Sequence, residues 1–549
     1  MGKERMKVEK EVFELWKQTS PTSAFGAGLK EYAGQIWIPS HSNVRKALKK
    51  IGQLEKKADP VTKKFLATMR RDLIIEEPQD PPGALLSAFF THLIIEGINE
   101  KHLLSLAEQS LNFLAVQQDL WERKWPVELQ IFSAQESDGA KAIIETIKKK
   151  CKKKETREAL TAVQKRLEIW KEKTAQVKLK RNDFVETYPI LKKKSTGLGR
   201  KKWYRAAIKD LYDYTETPEQ IERMAISWIE EELPTFKQVM KLLAKRYKCK
   251  PTVEEIDKAL DKHQKIPPAK LLNTIKSLRK ALQPLANTEW VGITPKYDVK
   301  VIETPDYLVP FLPTAAMQTF NSLTKKPFCL FFATTDPKAS PSSSLPDVAQ
   351  TLVHEEYGHC VNFMNSYAGF VAKPRLVEIL GSSLDTPITE GISFFREVEC
   401  SRTFHRMRAR GAHNRLQKNF MKEIEKNVPF QDFVEGVFFV VMQWRMVRFL
   451  RAISDVRINL EKQTFPQFIE WAHKKTGLSK KLIFDQTFHF QENPGYAPCY
   501  SVFGQKLREM QSQAMKKGIT QKEFNTYVAS TGFPARSIFE KRIRQKFKL

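Results

Sequence analysis

Apolar residues recur three and four positions apart through most of the chain, the mark of amphipathic helices. The pattern predicts helices over about Val44 to Lys57, Gly83 to Arg123, Ala140 to Lys180, Pro218 to Tyr247 and Thr252 to His263. A shorter one spans Trp203 to Asp213. Prolines and short polar clusters separate these segments, and no internal repeat is evident. Near Thr288 to Lys300 the helical period gives way to shorter pieces, so a boundary is expected there. Residues 1–300 then form an N-terminal helical region and 301–549 a second region. Pro327 to Ala333, with Phe328, Leu330, Phe331 and Phe332, reads as a short apolar strand. The loop Ser340 to Ser344 follows, and Ser344-x-x-Asp347 with Pro346 signals a helix start. That helix is expected to reach about Asn365, burying Val348, Leu352 and Val353. Thr386-Pro387 opens another helix, which closes at Arg410-Gly411.

Composition narrows the class. At 549 residues, 41% hydrophobic and 28% charged, the chain is long enough to bury a large core and reads as a globular protein. Its most apolar windows, Gly83 to Ile95 and Gly436 to Met442, are too short to span a bilayer, so no membrane partner is expected. Met1 to Lys10 is charged and lacks the apolar core of a signal peptide. The six cysteines show no C-x-x-C spacing, which points to free thiols and a cytoplasmic location. Neither a G-x-S-x-G elbow nor a glycine-rich phosphate loop is present.

The net charge of +29 changes the picture at one place. Much of it lies in Lys148 to Arg205, including Lys148 to Lys150, Lys152 to Lys154, Lys192 to Lys194 and Arg200 to Lys202, with more in the C-terminal Lys541 to Lys548. Such runs are usually solvated helix faces, and the alternative is a surface for nucleic acid or another polyanion. None of the common nucleic-acid folds is visible, so that partner is the second choice.

The candidate chemistry sits in Val353-His354-Glu355-Glu356-Tyr357-Gly358-His359. Two imidazoles, a carboxylate and a later glutamate, Glu390, are what a hydrolytic zinc site needs. Three protein ligands leave one position open, and a spare carboxylate can take a proton from water. The regular motif is H-E-x-x-H, which puts the histidines on one helix face. Here they are five apart, and in a regular α-helix that separates them by roughly 140°. Two arrangements resolve this. In one, a π-turn near Tyr357-Gly358 absorbs the extra residue, His354 and His359 are ligands, and Glu355 is the base. In the other, the helix stays regular, Glu355 and His359 are ligands, and Glu356 is the base. Glu390 and Glu397 lie seven apart on one face of the next helix, so one can be a ligand while the other orients an imidazole. Glu399 is off that face and reads as solvated, and Cys360 reads as a small buried residue. The edge of the Pro327 to Ala333 strand offers a place for an extended substrate backbone.

Several blocks carry a family resemblance. His354 to His359 resembles the H-E-x-x-P-G-H motif of the family called domain of unknown function 885. Glu390-Gly391-Ile392-Ser393-Phe394-Phe395-Arg396-Glu397 is similar to its E-G-W-A-L-Y-x-E segment. Asn493 to Tyr500 is similar to its P-G-x-A-x-x-Y segment, and Leu507-Arg508-Glu509 with Phe524 to Pro534 to its closing part. Thr304 to Leu308 matches more weakly. This chain lacks the proline before Gly358 and carries Asn459 where a histidine is expected. That family resembles the gluzincin peptidases of the thimet oligopeptidase, Taq carboxypeptidase and angiotensin-converting enzyme type. The resemblance implies a mostly α, two-lobed fold with a deep cleft and a short β-strand or hairpin beside the metal-binding helix. It implies one zinc ion per chain on His354, His359 and Glu390, with Glu355 as base. It favours this ligand set over the Glu355 alternative. Tyr500, His489 and Tyr496, in that order, are the implied donors to the reaction's oxyanion. Glu356 and Glu397 are left as supporting or substrate-binding residues. The expected activity is hydrolysis of short peptides, by a carboxypeptidase or an oligopeptidase.

Overall fold

The structure, a computed structural model, describes residues 2–74, 81–117, 125–174, 184–306, 308–309, 315–336 and 343–549. Parts of the expected elements, 118–123, 175–183, Tyr307 and 340–342, lie outside the described residues. The fold is mostly α, with one three-stranded sheet and a two-residue ladder among the described residues.

Local chemistry explains where the helices begin. Thr217 accepts from the Gln220 N–H while the Gln220 side chain returns to the Thr217 N–H, so Pro218–Tyr247 starts on a capping box with proline in its first turn. The segment expected as one helix from Gly83 is two, Pro81–Glu96 and Glu100–Val116. Gly97, at φ +65°, ends the first of them. Likewise Val127–Lys150 and Lys154–Thr174 replace one expected helix. The Glu100 carboxylate accepts from the N–H groups of Lys152 and Lys153 at 2.8 and 2.7 Å and fixes the break between them. Gly2–Thr19, Pro60–Leu73, Phe184–Lys194 and Pro268–Glu289 are among the helices not foreseen from periodicity.

Strands β1 (Val299–Glu303), β2 (Ala315–Phe320) and β3 (Phe328–Ala333) form the sheet in the order β1-β3-β2. β1 runs parallel to β3, with Val299 opposite Cys329, and β2 runs antiparallel to it, with Met317 opposite Phe331. The strand expected to offer an edge, β3, is therefore central and paired on both sides. Its side chains from Cys329 to Ala333 are buried. Among the described residues the edges of the sheet are β1 and β2.

The helix Phe430–Asn459 is apolar on every face and accordingly buried along most of its length. Its three inner arginines each bond a neighbouring group; Arg445, for example, pairs with Glu232 at 2.6 Å. Packing crosses residue 300 throughout. The Trp16 indole donates to the Gly381 carbonyl at 3.3 Å, Arg375 bonds Asp59 at 3.0 and 2.7 Å, and Arg536 pairs with Glu216 at 2.6 Å. The change near 300 is one of secondary structure, from the helix ending at Glu289 to the sheet beginning at Val299. No helix among the described residues is long and apolar enough to cross a membrane, and all six cysteines are unpaired.

The lysine runs do not form one patch. Lys148 to Lys150 end the helix Val127–Lys150, whereas Lys192 to Lys194 lie beside its beginning, where Ser195 donates to Glu128 at 2.5 Å. A helix of that length separates them by about 36 Å.

Candidate metal centre

The histidine helix covers residues 345–368 in three parts: an α-helical Leu345–Leu352, a π-helical Val353–Cys360 and an α-helical Val361–Ala368. Ser344 caps it by accepting from the Asp347 N–H at 3.3 Å. In a π-helix the backbone bonds i to i+5, so side chains five apart come to one face. The two imidazoles, five residues apart, consequently sit with ring centroids 4.9 Å from each other, at 88°.

Gly358 has a further role here. A methyl group on it would lie 2.6 Å from Ser393 Cα, on the glutamate helix Asp385–Arg410 that packs across the π-segment. A methyl on Gly391 would similarly lie 2.6 Å from the Phe503 ring. These two glycines let three helical segments approach closely enough to bring Glu390 onto the imidazoles.

Glu390 Oε2 lies 3.5 Å from His354 Nε2 and 3.4 Å from His359 Nε2. All three ligand atoms fall within 4.8 Å of one another, and all three residues are buried. Ligand atoms about 2.0–2.1 Å from a single zinc at the tetrahedral angle stand about 3.3–3.4 Å apart. The separations to Glu390 match that edge. Glu390 Oε2 is also buried without a hydrogen-bond partner, which is costly for a carboxylate oxygen unless a cation takes it up. The donor set therefore fits zinc.

Each imidazole is held by its other nitrogen. His354 Nδ1 lies 2.6 Å from Glu397 Oε1, and Arg448 grips the second oxygen of that carboxylate at 2.6 Å. His359 Nδ1 lies 3.2 Å from Ser393 Oγ, whose single proton goes to the Thr389 carbonyl at 3.0 Å. Ser393 must then accept from Nδ1–H, and both rings turn an Nε2 lone pair toward Glu390. Burial works against charge on His354, but Glu390 and Glu397 outweigh it and push its pKa up to about 9. Burial also opposes charge on Glu390 and on Glu397. The imidazoles keep Glu390 well below the usual carboxylate range, and Arg448 with His354 lowers Glu397.

A cavity of about 500 Å³ opens in front of these atoms. Glu355, Tyr496, Tyr500, Asp385 and the β2 residues Ala316 to Phe320 line it. Trp16, Thr22, Ser23, Ser87 and Thr91 of the N-terminal helices close it from the other side. Burial raises the carboxyl of Glu355 above its ordinary range while the two imidazoles pull it back. Burial likewise pushes Asp385 up to about 7. The Tyr496 hydroxyl donates to Glu390 Oε1 and lies 3.2 Å from that of Tyr500.

Three expected placements, those of Glu356, His489 and Glu399, need correction. Glu356 is fully buried but faces away from the cavity, bonded by Arg279 at 2.6 Å and Tyr297 at 3.1 Å, so it neither acts as base nor touches a substrate here. His489 is turned outward with 47% of its side chain exposed, 3.7 Å from Glu492, because Phe488 beside it takes the core position. Asn459 is buried and bonds the Asp455 carbonyl and Gln491 at 2.8 and 3.0 Å, outside the cavity. Glu399, expected in solvent, is buried against Arg396, Gln511 and Asn525. Ser393 and Arg448 escaped the sequence reading. A signal existed for Arg448: Arg445, Arg448 and Arg451 recur every third residue in an otherwise apolar helix. No local pattern marks Ser393 or Asp385.

No family model matches the chain, and neither does any curated protein. Two solved structures share the fold over 99% of both chains. One is described as a "putative lipoprotein" from Colwellia psychrerythraea, at 13% identity and a TM-score of 0.67. The other carries the same description, with unknown function, from Shewanella oneidensis, at 14% identity and a TM-score of 0.65. Likeness at such identity speaks for the fold alone.

Proposed function

We propose that this chain is a zinc-dependent peptidase of gluzincin-like type, hydrolysing short peptides with one zinc ion held by His354, His359 and Glu390. The observation that carries this reading is the orphaned Glu390 Oε2, 3.4–3.5 Å from two imidazole nitrogens whose remaining N–H groups are already committed. Zinc, when bound, acts as a Lewis acid that polarises an amide carbonyl and makes water nucleophilic at neutral pH.

The protein side chains supply the rest. Glu355 faces the same cavity, and its burial favours the proton-bearing form enough for it to take a proton from water and pass it to the leaving amine. Tyr500 lines the cavity, its hydroxyl donating to that of Tyr496 at 3.2 Å, and can turn that proton to the charge that develops on the carbonyl oxygen. Tyr496 is engaged with Glu390 and is better suited to fixing that ligand. The unpaired edge of β2 lies along the cavity, where an extended peptide can add as a further strand and bring its amide to the metal.

The test is metal content and hydrolysis measured together. Purified protein is expected to hold one zinc per chain and to cleave short peptides. Glu355→Gln should keep the zinc and lose about 10²–10⁴ in kcat. His359→Ala and Glu390→Ala should lose the zinc itself. Cleavage that survives Glu355→Gln removes that residue from the base role, and a metal-loaded chain that cuts no peptide removes the proposal.

A further inference from the structure

The charge of the cavity is opposite to the charge of the protein. Although the chain carries +29, no lysine or arginine among the described residues lines the cavity. Its acidic groups are Glu355, Asp385 and Glu390. The cavity is therefore lined by acids and by no lysine or arginine among the described residues.

Two of these carboxylates belong to the chemistry. Asp385 does not. It opens the glutamate helix, half-buried, and accepts a long 3.3 Å bond from the neighbouring Thr386 hydroxyl and a bond from the Ser382 backbone N–H, but none from a cation among the described residues. Two other half-buried aspartates are matched by cations, Asp59 by Arg375 at 2.7 Å and Asp210 by Arg71 at 2.9 Å. Asp385 has no such partner among the described residues. The arginines nearest the metal are committed elsewhere. Arg448 is spent on Glu397, and Arg451 on the Gln486 carbonyl and side chain at 2.7 and 2.6 Å, with Phe490 and Tyr500 over its guanidinium. A peptide's C-terminal carboxylate would meet acids here and no cation.

We propose that Asp385 is a specificity residue that holds a cationic group of the peptide, either its α-ammonium or a lysine or arginine side chain. The inference rests on the peptidase reading of this cavity and narrows its substrates to peptides bearing positive charge near the scissile bond. It disfavours carboxypeptidase action. A partly desolvated carboxylate with a single ammonium partner gains a charge-assisted hydrogen bond that a neutral peptide lacks.

Calorimetric binding to the zinc-loaded full chain carrying Glu355→Gln tests this without turnover. Four probes suffice: penta-alanine amide, its N-acetyl form, an N-acetylated pentapeptide amide with a central lysine, and N-acetyl penta-alanine with a free carboxylate. At least one cationic probe should bind about tenfold or more tighter than the neutral one, and the acid should bind weakest. The amine and lysine probes tell apart the two sources of the cation. Adding Asp385→Asn should bring all four within about threefold. Equal binding of cationic and neutral probes, tighter binding of the free acid, or no binding of any probe overturns the inference. Because the wild-type comparison needs no variant at 385, a misfolded substitution does not obscure it. Absence of hydrolysis by the wild-type enzyme would instead strike at the peptidase reading.

Discussion

On the zinc reading proposed above, Ser393 and Glu397 would act on the metal through the imidazoles, not by touching it. Each takes an Nδ1–H and so fixes which nitrogen faces Glu390. Losing such a partner typically weakens metal binding about 10–100-fold. Ser393→Ala and Glu397→Gln should therefore weaken zinc affinity by that order in chelator competition. Glu397→Gln should cost the more, because Arg448 then stands buried without its counter-charge. The tyrosines separate in the same way. Tyr500→Phe should reduce kcat by about 10²–10³ with zinc content unchanged, as for loss of an oxyanion donor. Tyr496→Phe should instead reduce zinc retention, since its hydroxyl bonds Glu390. His489→Ala should leave both unchanged, and a large loss there would restore His489 to the site.

Among the elements, the histidine helix is where the sequence was most and least legible. The His354 to His359 spacing announced a distortion, because histidines five apart share a face only if the helix widens, and Val353–Cys360 is π-helical. The role of Gly358 in letting the glutamate helix approach was not readable, since nothing local says which neighbour will press on it. Gly358→Ala should overpack this contact and cost about 1–3 kcal/mol of stability, seen as a lowered melting temperature, with weakened zinc binding. Helices such as Pro218–Tyr247 were legible through period and caps together. Breaks such as Gly97 were not, because the apolar period continues on both sides of a short interruption. Strand β3 was legible as a strand, but its central place was not. Sheet order depends on β1 and β2, whose pattern is too short and mixed to stand out. For the same reason Trp16, Thr22 and Ser87 could not be assigned individually to the cavity wall.

At the scale of the whole molecule, electrostatics sets the pH response. The runs Lys148 to Lys150 and Lys192 to Lys194 lie at opposite ends of Val127–Lys150, whereas acids and no lysine or arginine among the described residues line the cavity. Burial works against the charged Asp59, but Arg375 and the backbone N–H groups of Thr62 and Val61 hold its pKa down to about 2 from 3.8. The unfolded chain thus takes up a proton before the folded one, and this stabilisation, full above about pH 4, is lost as pH falls through about 2. Asp59→Asn should be less stable than wild type at pH 6, with the gap closing toward pH 2 in thermal melts. Asp455 runs the other way: burial pushes it up to about 7 against the bonds from Tyr204 and Gly495. Its contribution is full below about pH 4 and lost as pH rises through about 7, so Asp455→Asn should flatten the alkaline side of the stability curve. The claim under all of this is one zinc ion shared by two helices, and anomalous diffraction at the zinc edge tests it most directly. The account predicts one peak per chain, about 2.0–2.2 Å from His354 Nε2, His359 Nε2 and Glu390 Oε2. A peak coordinated by Glu355 in place of His354, or no peak at this centre in zinc-soaked crystals, would contradict it.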